Sequence, residues 1–222
     1  MTCKNRVMAM ADPYLSQRVR AVLDVARTAR GYMPDVEGLA LFRAANDVLT
    51  RVDGPVLEIG TYCGKSACYL AAAAEAAGQH CITVDHHRGS EEMQPGWEHH
   101  DDGVVDARSG RIDSLPEFRR TIEAAGLEAT VVALIGDSPA LARYWHQALA
   151  LLFIDGGHSE HIAMADYLAW EPFITPGGVL AIHDVFADPV DGGQGPFRVW
   201  ERAVADGFEP WETIGSLRTL RR

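Results

Sequence analysis

The sequence is poor in several features that define whole classes of protein. Only four of its 222 residues are cysteines (Cys3, Cys63, Cys68 and Cys81), and no two form a Cys-x-x-Cys pair. That spacing argues against a disulfide framework or a zinc knuckle. Scattered thiols in apolar stretches read as small buried hydrophobes of a reducing, cytoplasmic compartment. No apolar run approaches the roughly 20 residues that a membrane span needs. The opening MTCKNRVMAMADP lacks the apolar centre of a secretory signal, so residues 1–11 read as a loose, flexible tail. Basic residues are scarce: 20 Lys and Arg face 31 Asp and Glu, for a net charge of -11. Nucleic acids and anionic membrane surfaces both demand basic patches, so neither is an expected partner.

What is present is a chain 47% hydrophobic and long enough for one well-buried domain, expected over residues 12–222. From Pro55 onward, short apolar runs alternate with helical patterns, the mark of βαβ units and a parallel sheet. Strands are predicted at 56–60, 81–85, 130–135, 150–155 and 179–184, and helices at 65–77, 114–125, 139–146 and 160–173. The strands are continuously apolar, as strands covered on both faces are. The sequence TPGG at 175–178 predicts a turn into the fifth strand. After a further helix near 197–205, the tail GFEPWETIGSLRTLRR suits two short strands around a Gly-Ser turn. The expected fold is therefore α/β: a Rossmann-like, doubly wound sheet of five parallel strands plus a C-terminal hairpin-like pair. Upstream, residues 12–30 and 37–51 read as amphipathic helices, with Pro13 placed for a helix start. They form a helical cap over 12–54, expected to cover the carboxyl edge of the sheet. Residues 86–113 make a connection far longer than the usual 2–6 or so residues. The insert follows the second strand, at the edge where ligands bind in open α/β sheets, and is expected to cap the substrate.

The stretch VLEIGTYCGKS, at 56–66, decides the ligand class. Its closing Gly-Lys-Ser suggests a phosphate loop, but that motif needs four residues between its glycines, and position 59 is Ile. The dinucleotide pattern G-x-G-x-x-G fails as well. The pattern present is Glu-x-Gly-x-x-x-Gly, from Glu58 through Gly60 to Gly64. A carboxylate just ahead of the first glycine repels phosphate and suits a cationic ligand. Asp85 closes the second strand about 20 residues on, where a carboxylate can accept both hydroxyls of a ribose. Asp137 and Ser138 end the third strand. By themselves they make an ordinary helix start with Ser138 as N-cap. Asp155 ends the fourth strand and His183-Asp184 the fifth. Adjacent strands lie about 4.8 Å apart, so these ends can converge on one ion.

These motifs resemble the class I S-adenosylmethionine-dependent methyltransferases. VLEIGTYCGKS is similar to the loop of catechol O-methyltransferase and its metal-dependent relatives, while FIDGGHSE and GGVLAIHDV resemble the macrocin O-methyltransferase group. The insert also resembles actinobacterial homologues, mannoside (sugar) O-methyltransferases among them. The resemblance implies that Glu58, Gly60, Tyr62, Gly64, Ser66, Asp85, Asp137 and Ser138 hold S-adenosylmethionine. It further implies a divalent metal, magnesium or manganese, between acids at Asp155 and Asp184, with His158 as base. His183 stands where those relatives carry a carboxylate; as a third ligand it would favour manganese, zinc or iron over oxygen-loving magnesium. Trp97, flanked by acids and histidines in the insert, suits a stacked sugar ring and equally a solvated loop or a dimer contact. His86 and His87 follow the ribose acid and can reach acceptor or metal. The glycine-rich stretch around 188–196 can act as a lid. The expected activity is O-methylation of a small hydroxylated acceptor, and a homodimer is the expected assembly. A nucleotide hydrolase using Lys65 and a non-catalytic S-adenosylmethionine-binding protein are the alternatives.

Overall fold

The computed structural model describes residues 15–97 and 99–222. The tail expected at 1–11, and Pro13 with it, lie outside the described residues. The first helix, α1 (Gln17–Thr28), starts at Ser16, whose Oγ accepts from the Val19 amide at 3.1 Å. A second helix, α2 (Asp35–Leu49), leads into β1 (Val56–Ile59), α3 (Lys65–Ala76) and β2 (Cys81–Asp85). The insert carries structure of its own: two single 3-10 turns and a small hairpin, β3 (Val105–Asp106) and β4 (Arg111–Ile112). Then come α4 (Leu115–Ala125), β5 (Val131–Ile135), α5 (Ser138–Ala142), β6 (Leu149–Ile154), α6 (Glu160–Trp170) and β7 (Ile174–Ile182). The chain ends with α7 (Gly195–Ala205), β8 (Glu209–Ile214) and β9 (Leu217–Arg221).

Seven strands form one sheet in the order β5-β2-β1-β6-β7-β9-β8. The first five run parallel; β9 is antiparallel to both β7 and β8. This is the Rossmann-like doubly wound sheet expected from the sequence. The TPGG segment does not stand apart as a turn but lies within β7. Pairing jumps from Leu149–Ile174 to Leu151–Val179, so these residues are accommodated as an irregularity of the ladder. The helix expected at 139–146 is shorter, and its N-cap is Asp137 rather than Ser138: the Asp137 carboxylate accepts from the Ala140 amide at 3.0 Å.

Strand alternation sorts the core into two layers. Val56, Leu151, Phe153, Val179 and Ala181 face α1, α2 and α3, whereas Leu57, Ile59, Leu152, Ile154 and Ile182 face α6 and α7. The N-terminal helices thus thicken one face of the sheet; the turn between them, residues 29–34, reaches the carboxyl edge. The order of strands reverses between β1 and β6, and the crevice at such a reversal is where open α/β sheets bind ligands.

Candidate active site

Gly60 shows why the chain needs glycine at that crevice. Its φ is +84°, and a Cβ there would fall 2.1 Å from the Asp155 carbonyl oxygen, because β1 and β6 bring their ends together at this point. Tyr62, His87 and Asp184 are the non-glycine residues with positive φ among those described, and each follows a strand of this edge. Asp85 ties the loop down: one carboxylate oxygen accepts from the Thr61 and Tyr62 amides at 2.9 and 2.8 Å, the other from the His87 amide at 2.7 Å. A carboxylate has about four acceptor positions and three are filled, so Asp85 keeps capacity for one ligand hydroxyl, on the oxygen that meets His87, rather than for both hydroxyls of a ribose.

Two cavities meet here. The larger, about 290 Å³, is lined by Asp85, His86, Asp137 and Ser138, together with Ile162 and Asp166 of α6. The smaller, about 110 Å³, is lined by Tyr32, Ser66, Glu92, His158, His183 and Asp184. Gly60, Tyr62, Asp155 and Gly156 belong to both walls.

Glu58 points into the layer behind the loop and lines neither cavity. It is fully buried, and neither carboxylate oxygen has a hydrogen-bond partner; the hydroxyls of Thr61 and of its strand neighbour Thr83 are equally without one. Burial pushes the Glu58 pKa up to about 8, the nearby Ser66 hydroxyl opposing and the Asp155 charge adding to the rise. An orphaned acid under the loop fits a cationic group brought to the other side, directly or through water. Lys65 lines the smaller cavity, but its charge is already engaged: its Nζ donates to the Arg27 carbonyl at 3.2 Å and lies 3.3 Å from Asp35. It braces α1 and α2, which removes the support for a phosphate loop. Gly64 starts α3 and lines neither cavity; a Cβ there would press on Phe118 at 3.1 Å.

The smaller cavity is built from charged side chains. Ligating atoms of Asp155, His158 and Asp184 lie within 4.8 Å of one another. His158 holds Glu92 at 2.8 Å through Nδ1 and Asp184 at 3.2 Å through Nε2. Burial lowers its pKa, but Glu92, Asp184 and Asp155 together raise it above the ordinary value. His183 is enclosed further: Nε2 lies 2.6 Å from Glu37, and Nδ1 lies 3.0 Å from Asp155 and 3.3 Å from Asp184. With carboxylates on both nitrogens, which can only accept, both nitrogens carry protons and the ring is held charged against the cost of burial. The ligating atoms that converge are those of Asp155, His158 and Asp184, and His183 is not among them. Its charge in turn holds Asp184 ionised against burial.

Other expectations shift with the geometry. His87 is buried away from both cavities, with Nδ1 2.8 Å from the Ser114 hydroxyl and its ring against Phe118. His86 lines the larger cavity, not the smaller. Trp97 is 61% exposed and lines neither. Ser138 lines the larger cavity, but its hydroxyl accepts from the Trp170 indole at 2.8 Å. His161, in the first turn of α6, also lines that cavity.

Residues 57–185, more than half of the chain, match the family model described as "Methyltransferase domain". The chain belongs to this family. It is a methyltransferase with the fold of the class I S-adenosylmethionine-dependent enzymes, and similar solved structures agree with that fold. The O-methyltransferase of Bacillus cereus, solved with S-adenosylhomocysteine, is 20% identical, with 96% of this chain and 94% of that one covered and a TM-score of 0.61. The O-methyltransferase NovP is 17% identical over 85% of this chain and 80% of its own, with a TM-score of 0.65. The calicheamicin methyltransferase CalS11, described also as a TDP-rhamnose 3'-O-methyltransferase, is 14% identical over 100% and 97%, with a TM-score of 0.63.

Four site residues of this methyltransferase escaped the sequence reading. Glu37 looks like a first-turn helix acid, Glu92 like one of many polar insert residues, and Tyr32 like a loop aromatic. Asp166 left a usable signal: it interrupts the buried stripe Ala163, Tyr167 and Trp170 of α6. Its carboxyl is buried beside Ser138, and burial lifts its pKa to about 6. No described helix is long and apolar enough to cross a membrane.

Proposed function

We propose that this methyltransferase moves the methyl group of S-adenosylmethionine to a hydroxyl of a small molecule, with a sugar or glycosylated metabolite as acceptor. The observation that carries this reading is the cluster of Asp155, His158 and Asp184 in the smaller cavity, with Asp155 in the wall shared with the larger. The larger cavity takes the cofactor, with Asp85 toward its ribose and the unpartnered Glu58 behind the loop that receives its ammonium. The smaller takes the acceptor. The stacked rings of Tyr32 and Tyr62, 5.7 Å apart, offer that cavity a flat surface of the kind sugar rings pack on. The sugar activity in the description of CalS11 points the same way.

Methyl transfer is an in-line displacement: the acceptor oxygen bonds the methyl carbon as the carbon–sulfur bond breaks, and the sulfonium leaves as a neutral thioether. An aliphatic hydroxyl needs its proton removed as this happens. His158, on the wall of the smaller cavity, is the residue assigned to receive that proton in its neutral form. Glu92 and Asp184, one at each ring nitrogen, favour the charged ring, so the base is expected to gain strength as pH rises above the ordinary imidazole range. Asp155 and Asp184 are the residues to hold a divalent cation, which when bound supplies Lewis acidity toward the hydroxyl. The ligating atoms of these two carboxylates and of His158 converge within 4.8 Å, an oxygen-and-imidazole donor set that fits such an ion, while the His183 ring lies against both acids from the buried side.

Calorimetry with S-adenosylhomocysteine, with ATP in parallel, tests the cofactor half. Micromolar binding of S-adenosylhomocysteine alone is expected; binding of ATP alone would restore Lys65 as the guiding residue and end this reading. A panel of methyl glycosides assayed with magnesium or manganese tests the other half. Chelation should abolish turnover while leaving S-adenosylhomocysteine affinity nearly intact, and full activity after verified metal removal would refute the metal.

A further inference from the structure

We propose that Asp166, on α6, reads the purine of the cofactor: its carboxylate accepts a hydrogen bond from the exocyclic amine of adenine and so selects an aminopurine over an oxopurine. This rests on the reading that the larger cavity takes the cofactor. Asp166 is only 4% exposed, yet it lines that cavity. The Ser138 hydroxyl stands beside it, accepting from the Trp170 indole at 2.8 Å and keeping its own proton to give. Among the described residues no other donor meets the carboxylate, so most of its roughly four acceptor positions are open. Burying an acid with so few donors destabilises the fold unless a ligand brings the missing N–H.

Its place in the cavity decides which part of the ligand it meets. The transferred methyl must face the smaller cavity, across the wall of Gly60, Asp155 and Gly156 that both cavities share. Asp85, at the end of β2, meets the ribose. The purine then extends into the part of the larger cavity that the smaller one does not touch, between residues 137–139 and the α6 residues Ile162 and Asp166. Those two residues share one face of α6, so an apolar surface and an acceptor stand one helical turn apart. A Cβ on Gly157 would fall 2.9 Å from Ile162 Cγ2, and one on Gly156 would fall 3.1 Å from Asp166 Oδ2. The glycine pair after β6 therefore makes room for this face. Adenine carries one donor group on its six-membered ring, the amine at position 6, and its ring nitrogens accept. A carboxylate accepts from that amine and repels the carbonyl oxygen that hypoxanthine carries at the same position. Asp137, the other acid at this end, already accepts from the Ala140 amide as the cap of α5.

Calorimetry on the full chain, at about pH 8 and so above the Asp166 pKa of about 6, compares S-adenosylhomocysteine with S-inosylhomocysteine, its deaminated analogue. Wild type should prefer the amine by about 100-fold or more. Asp166→Asn, close in shape and able to donate to a carbonyl oxygen, should bring the two affinities within about tenfold, chiefly by binding the inosyl compound better. Asp166→Ala should weaken S-adenosylhomocysteine alone. Wild type that binds both compounds alike overturns the proposal with no variant needed. A parallel loss of both ligands in Asp166→Asn, the mark of a merely structural acid, overturns it too. So does discrimination that survives in Asp166→Asn; its loss in Asp137→Asn instead would make the helix cap the reader. Binding of neither compound to wild type would overturn the reading of the cavity itself, and this proposal with it.

Discussion

The two cavities that share Gly60 and Asp155 are constructed on different plans. The larger cavity, the proposed cofactor side, is a matter of backbone. A glycine permits β1 and β6 to close on each other, and the Asp85 carboxylate gathers amides from Thr61, Tyr62 and His87. The contacts of Asp85 join segments no more than 24 residues apart, although β6 comes from much later in the chain. The acceptor side is a matter of charged side chains drawn from distant segments. Glu37 from α2, Glu92 from the insert, His158 after β6, His183 and Asp184 after β7, and the Ser216 amide of the terminal hairpin all meet there. A scaffold of amides tolerates side-chain exchange, whereas a buried lattice of alternating charges fails when one member is removed.

Removing the reacting group should give the largest effect. His158→Ala is expected to lower kcat by about 10²–10⁴-fold with folding unchanged, measured on the methyl glycoside acceptor; a loss below threefold would end the base role. The next tests the charge lattice itself. Glu37→Ala leaves the buried His183 charge short of one partner and the Ser216 amide without its acceptor, and should cost about 3–5 kcal/mol in urea unfolding. A cost below about 1 kcal/mol would mean that the lattice is replaceable and the contrast between the cavities false.

Glu58 sharpens the comparison from the cofactor side. Its pKa rises from the ordinary 4.5 to about 8 in the folded cofactor-free protein. The folded state therefore holds a proton that the unfolded state releases, and the stability linked to Glu58 is complete below about pH 4.5 and lost as pH rises through about 8. Glu58→Gln should remove that loss, so its melting-temperature advantage over wild type should grow between about pH 6 and pH 8.5. The same change should weaken S-adenosylhomocysteine binding about tenfold or more, since it removes a charged partner. An unchanged affinity would detach Glu58 from the cofactor. The smallest effect belongs to Trp97→Ala: exposed and outside both cavities, it should alter kcat and KM less than about twofold, within the range of neutral surface changes. A tenfold rise in acceptor KM would show that the sugar extends over the insert.

Much of the cofactor side was legible because local rules govern it. Apolar runs of strand length, helical periodicity, and glycines where the backbone turns all report on neighbours in sequence. They located the strands of the sheet to within a few residues and brought Gly60, Asp85 and Asp155 to one edge. The boundaries that moved have local causes as well: Asp137 takes the helix cap from Ser138, and TPGG is absorbed into an irregular β7.

By itself, then, the sequence determined the α/β class, the doubly wound sheet and the kind of loop at 56–66, because periodicity and turn chemistry are short-range properties. Only the tertiary structure decided what each charged residue does. His183 and His87 look alike in the sequence, yet one is wedged between Glu37 and Asp155 and the other is buried against Ser114. Glu37 and Glu92 look like surface acids, yet they hold the two histidines of the acceptor wall. A side chain's charge state and freedom depend on partners many residues away, and those partners exist only once the sheet has brought its edges together.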